Sequence, residues 1–98
     1  MKYRKKPIII EAYQLPDNTE ALKKAPMWVR LAYSFEQLEY IESHPNNKYW
    51  IISTLEGDAL AGAGDYLIKG AYDELYPCKE EIFESTYEQV NDDRTEFN

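Results

Sequence analysis

Residues 54–88 read TLEGDALAGAGDYLIKGAYDELYPCKEEIFESTYE and hold all four glycines and the single cysteine, Cys78. Turn chemistry alternates here with short apolar runs. Glu56-Gly57 predicts a turn, Asp58–Ala63 a short strand of small residues, and Gly64-Asp65 a second turn. At that second turn glycine can take a positive φ, and the aspartate can accept hydrogen bonds from nearby amides. Tyr66–Lys69 reads as a strand, Gly70–Asp73 as a turn, and Glu74–Tyr76 as a hairpin partner that Pro77 ends. Residues 79–86 read as a short helix with Ile82 and Phe83 inward.

Working outward, residues 48–54 (KYWIIST) are aromatic and β-branched, which predicts a strand. His44-Pro45-Asn46-Asn47 is a turn signal, so 37–43 pairs with that strand as a hairpin. Ser34 and Gln37 also stand in capping-box spacing, which would make 35–42 a helix instead. Upstream, Tyr3–Gln14 reads as the first strand, with Tyr3, Ile9 and Tyr13 on one face, and Pro7 either places it at an edge or makes it properly begin at Ile8. Asp17 and Glu20 predict a helix running to Ala25. Pro26 opens a second helix, whose buried stripe is expected to be Trp28, Leu31, Ala32 and Phe35. Residues 87–90 return to extended structure, and 91–98 form a polar, frayed tail. The sum is one α+β domain over 1–90 rather than an alternating βαβ chain. Its expected form is an antiparallel β-sheet or small half-open barrel of five to six strands, with two or three short helices packed on it.

The chain has 98 residues and a net charge of −7. Residues 1–10 carry four positive charges and none negative, whereas 79–98 carry seven negative and two positive. Such an acidic protein is not suited to general nucleic-acid binding through phosphates. It suits solubility or contact with a basic surface. No apolar run approaches the roughly 20 residues of a membrane span, so no membrane partner is expected. One cysteine allows no internal disulfide and fits a reducing, cytosolic compartment. The nine tyrosines suit half-buried strand faces or a contact surface equally well.

Four segments taken together resemble a known family: MKYRKKPIIIEAYQ at 1–14, TLEG at 54–57, GDYLIKG at 64–70 and ELYPCKEEIFESTYE at 74–88. The family comprises small phage and prophage proteins with an uncharacterised domain, named for a PGDYG motif. Ala63 stands where the motif has its proline, and Leu67 where it has its second glycine. The resemblance implies a phage-encoded accessory protein of the host cytoplasm, and it implies no activity.

Motifs for chemistry are sparse. GxxxxGK[ST] does not occur, and the Gly-x-Gly at 62–64 is not extended to GxGxxG. One histidine, His44, and one cysteine cannot make a zinc site, so neither a metal nor another cofactor is expected. Cys78 stands before a helix and beside Lys79, which would activate a thiol. The plainer expectation is a small buried residue at a strand-to-helix corner. Glu56 with Asp58, Asp65, and Asp73 with Glu74 are the carboxylates that turns could bring together. The strongest binding constellation is Asp65, Tyr66, Lys69, Tyr76, Lys79 and Tyr87. Tyr66, Ile68 and Tyr76 would share one face of a hairpin with Lys69 on the other. Tyrosine rings could sandwich a base while a lysine takes a phosphate, but the plainer expectation is that these tyrosines are the core and its rim.

Three functional readings follow. The first is a non-enzymatic binding module that acts on a host process such as a defence system, by binding a host protein or sequestering a small nucleotide-like ligand. The second is a small enzyme working on a nucleotide through turn carboxylates. The third is a self-associating structural or assembly component, a homo-oligomer.

Overall fold

The computed structural model describes residues 1–4, 6–44 and 46–90. Over the described residues the chain is α+β, with six strands in two antiparallel three-stranded sheets and no closed barrel. In sheet A, β1 (Glu11–Gln14) and β6 (Leu75–Cys78) flank β5 (Tyr66–Lys69). In sheet B, β2 (Leu38–His44) and β4 (Gly57–Ala61) flank β3 (Asn47–Thr54). A 3-10 helix (Glu20–Lys24) and α1 (Met27–Ser34) connect β1 to β2, and α2 (Glu80–Thr86) follows β6. The expected hairpin at 37–54 forms with Leu38 opposite Ile52 and Tyr40 opposite Trp50. The tail over 91–98 lies outside the described residues.

Strand alternation places the core between the sheets. Leu38, Trp50, Ile52 and Ala61 face inward from sheet B, Leu67 and Leu75 from sheet A, and all six are buried. Leu15, Leu22, Ala25, Val29 and Ala32 close this core, with Tyr13, Trp28 and Tyr40 packed against it. Two polar tips are satisfied as they enter. The Trp50 indole donates to the Pro16 carbonyl (2.8 Å), and the Tyr40 hydroxyl donates to the Asp17 carbonyl (2.7 Å). Both bonds tie the segment leaving sheet A to sheet B, so neither buried ring carries an unpaired donor.

Several local expectations are corrected. The first strand spans only Glu11–Gln14, because its partner β5 has four residues and the ladder ends at Glu11 opposite Lys69. Tyr3 and Ile9 are therefore exposed, while Tyr13 is half-buried. Near residue 20 the segment makes a 3-10 turn whose N-cap position is Thr19, with no cap bond from its side chain. The Ala21 amide is accepted by the Asn18 side chain (2.9 Å), not by Asp17. The buried positions of α1 are Val29 and Ala32, with Leu31 48 % and Phe35 73 % exposed. The helix is only eight residues long and the core meets it along the narrow stripe that continues from Ala25. Pro77 lies inside β6 rather than ending it. That position is tolerable because β6 is an edge strand, where a missing N–H need not break a ladder.

The end of α1 shows how short connections are made. Gln37 N–H donates to the Ala32 carbonyl (2.8 Å) and Glu36 N–H to the Tyr33 carbonyl (3.2 Å). This pair of bonds is a Schellman closure, and it puts Glu36 at φ 62°. The turn glycines Gly57 (φ 114°) and Gly64 (φ 95°) sit where a side chain would strain the backbone.

Candidate functional site

The GDYLIKG segment begins at a joint. Asp65 is mostly enclosed, with its side chain 14 % exposed. One carboxylate oxygen accepts the Gly62 amide (3.0 Å) and lies 3.5 Å from the Lys79 ammonium. The other accepts the Glu80 amide (3.2 Å) at the start of α2. The same turn is tied to β1. Leu15 N–H donates to the Asp65 carbonyl (2.8 Å), and Gly64 N–H donates to the Leu15 carbonyl (2.8 Å). The Gln14 side-chain amide donates to the Gly64 carbonyl (3.0 Å) and to the Glu80 carboxylate (3.2 Å). Asp65 is thus a clamp that closes the 62–65 turn and fixes where α2 starts.

On the α2 side of sheet A, the registers put Ala12, Tyr66, Ile68, Tyr76 and Cys78 on one face and Lys69 on the other, as the alternation predicts. Ile68 is fully buried. Phe83 stacks on Tyr66 (centroids 3.8 Å apart, 15° between planes) and Tyr87 stacks on Phe83 (4.9 Å, 25°). Phe83 is the inward residue of α2, whereas Ile82 is 57 % exposed, a correction to the expected pair. The reason is spacing: a helix this short turns one aromatic onto the Tyr66 ring and leaves its neighbour outside.

Of the six candidate residues, Tyr66, Tyr76 and Tyr87 come together. They line two grooves beside the segment before β1. The first, about 540 Å³, lies between Ile9, Ile10, Tyr66, Phe83, Tyr87 and Val90. The second, about 380 Å³, lies between Lys6, Ile8, Ile10, Tyr72, Tyr76 and Tyr87. Asp65 and Lys79 pair at the start of α2, and Lys69 points away and meets Asp73 at 3.5 Å. The slot between the Tyr66 and Tyr87 rings is filled by Phe83.

The electrostatics are those of a quiet site. Tyr76 is pushed up to about 12, first by burial, then by the Tyr87 hydroxyl and by Glu74 and Cys78. Tyr66 is raised by burial, then by Glu84 and Glu80. Burial, with Asp65 second, raises the Cys78 thiol, which keeps it protonated near neutral pH and therefore a poor nucleophile. Two of the turn carboxylates besides Asp65 are engaged locally. Asp73 meets Lys69, and Glu74 accepts the Tyr72 amide (2.9 Å). Among the described residues, no group of three or more His, Cys, Asp and Glu is placed to hold a metal ion. Nor is any helix there long and apolar enough to cross a membrane.

A second surface went unread in the sequence. The outer face of sheet B carries Ile51 opposite Leu60 and Tyr49 opposite Ile41. Leu60 is 64 % exposed and the other three are half-buried. Glu39, opposite Ile51, and Asp58, opposite Ser53, give this apolar strip an acidic margin. Its signal was present in the unbroken apolar run YWII at 49–52, which supplies both faces of β3 at once. No protein-family model matches the chain, and no curated protein or solved structure matches it.

Proposed function

We propose that the chain is a phage-encoded binding module that acts without turnover on a protein of the host cell, in the host cytoplasm, as an inhibitor of a host process such as defence. The observation that carries this reading is the outer face of sheet B. Exposed Leu60 and half-buried Ile51, Tyr49 and Ile41 make an apolar strip there across three strands, edged by carboxylates. Contiguous apolar surface with a polar rim is the usual anatomy of a protein contact. The net charge of −7 favours a basic partner, and the phage resemblance supplies the host setting. A protein partner is preferred to a nucleotide-like ligand because Phe83 occupies the tyrosine slot. The lysines Lys69 and Lys79 are also both spent on carboxylates.

The test is a capture experiment from host lysate with the intact chain and with Leu60→Glu. Leu60 is outside the core, so the variant keeps the fold. The expected result is a basic host protein held by the wild type and lost by the variant, with about tenfold or greater weakening on titration of the purified pair. Equal capture by both chains, or capture of nothing, would overturn the reading.

A further inference from the structure

Residues 8–10, three consecutive isoleucines, have strong strand propensity and yet join no ladder among the described residues. Among the described residues, their backbone makes no hydrogen bond within the chain. They run directly into β1, which is itself an edge strand bonded only to β5. The open edge therefore continues from 8 to 14. Natural edges of this kind are commonly blunted by proline, charge or a bulge. The opposite edge of sheet A has Pro77, whereas over 8–14 the one charged residue is Glu11. Ile8 and Ile9 are 54 % and 73 % exposed.

We propose that this edge joins two copies of the chain. Residues 8–14 of each run antiparallel about a two-fold axis and turn two three-stranded sheets into one continuous sheet. A two-fold axis makes such a contact closed and self-limiting, because each strand offers the same edge it accepts. Charge complementarity selects a second copy as the occupant. The bond from Gln14 to Glu80 puts the acidic start of α2, Glu80 and Glu81, at the C-terminal end of β1. The basic arm, with Lys2, Arg4 and Lys6, leaves from the other end. Within one molecule these charges are separated by the length of the strand. In an antiparallel pair, the arm of each copy runs out past the acidic helix start of the other. This contact uses a different surface from the outer face of sheet B, so the two proposals stand or fall separately.

Sedimentation equilibrium of the full chain, from low-micromolar to near-millimolar concentration, tests the idea alongside Ile8→Pro and Leu60→Glu. The expected result is a wild-type dimer that raised salt weakens, since the arm contact lies at the surface. The Leu15 amide turns to Asp65, so the odd-numbered donors lie on the β5 side and the even-numbered ones face the open edge. Ile8→Pro removes such a donor at an exposed residue, so it should weaken the dimer about tenfold or more while the circular dichroism spectrum is unchanged. Leu60→Glu should dimerise as the wild type does. Amide exchange at residues 8–10 should slow as protein concentration rises. A wild type that stays monomeric throughout, or a dimer indifferent to Ile8→Pro, would overturn the proposal.

Discussion

Glu36 holds a left-handed backbone angle that glycine would adopt without strain. An L-residue there costs roughly 1–2 kcal/mol in backbone energy, partly offset by the greater freedom glycine has when unfolded. Glu36→Gly should therefore stabilise the fold by about 0.5–1 kcal/mol, raising Tm by about 3–6 °C in a calorimetric scan. At the same scale, Tyr76 makes stability depend on alkaline pH. Its hydroxyl is held protonated in the fold up to about 12, against 10.0 when exposed. The stabilising term is thus fully present below 10.0 and is lost as pH rises through about 12. Tyr13, Tyr66 and Cys78 are raised too and act in the same direction. Urea titrations across this window should show the wild type losing stability more steeply than Tyr76→Phe. Equal slopes would mean that Tyr76 is not the group responsible.

At the scale of elements, α2 is held by one carboxylate and one ring. Asp65 supplies the acceptor for its first amide, and Phe83 supplies the stack on Tyr66. Removing a buried acceptor leaves amides unpaired, at about 1–3 kcal/mol. Removing a buried aromatic costs about 3–5 kcal/mol where it is fully enclosed, and Phe83 is only half-buried. Asp65→Ala and Phe83→Ala should each destabilise by about 2 kcal/mol and speed amide exchange in α2 ahead of β3. Asp65→Asn should rescue only in part, because an amide offers one acceptor where two amides need one each. If α2 exchange in either alanine variant rose only together with β3, the helix would be part of the global unit instead.

The same elements show what was legible beforehand. Gly57, Gly64 and Asp65 declared their turns because few residue types adopt those angles or caps. The face shared by Tyr66, Ile68 and Tyr76 followed from period-two alternation alone. The strip on sheet B did not, because an apolar residue on an outer face looks no different in sequence from one in the core. The stripe of α1 was legible only in part for a related reason: Ala32 is buried and Trp28 packs on the core, whereas Leu31 and Phe35 are exposed. A short helix offers several apolar candidates, and only the position of the sheet decides that Val29 is enclosed and Phe35 is not. Nor could spacing reveal that Phe83 would fill the space between two tyrosines.

For the whole molecule, the two sheets differ in how they are assembled. Sheet B is made of consecutive strands, β2 to β3 to β4, joined by tight turns. Sheet A cannot form until Glu11 meets Lys69, with all of sheet B lying between them in the chain. Bringing distant segments together is the slow, entropically costly step. The Trp50 and Tyr40 bonds to Pro16 and Asp17 then take on a temporal meaning: sheet B offers a finished surface on which the returning β1 segment can be caught. The β1–β5 pairing is the clasp that closes last. In stopped-flow measurements Ile52→Val should therefore slow folding, while Leu67→Ala should mainly accelerate unfolding. The reverse pattern would place the clasp first. On this order of events, the chain spends its last moments before completion with the isoleucine segment still free, so the edge left open in the finished molecule is also the part that arrives latest.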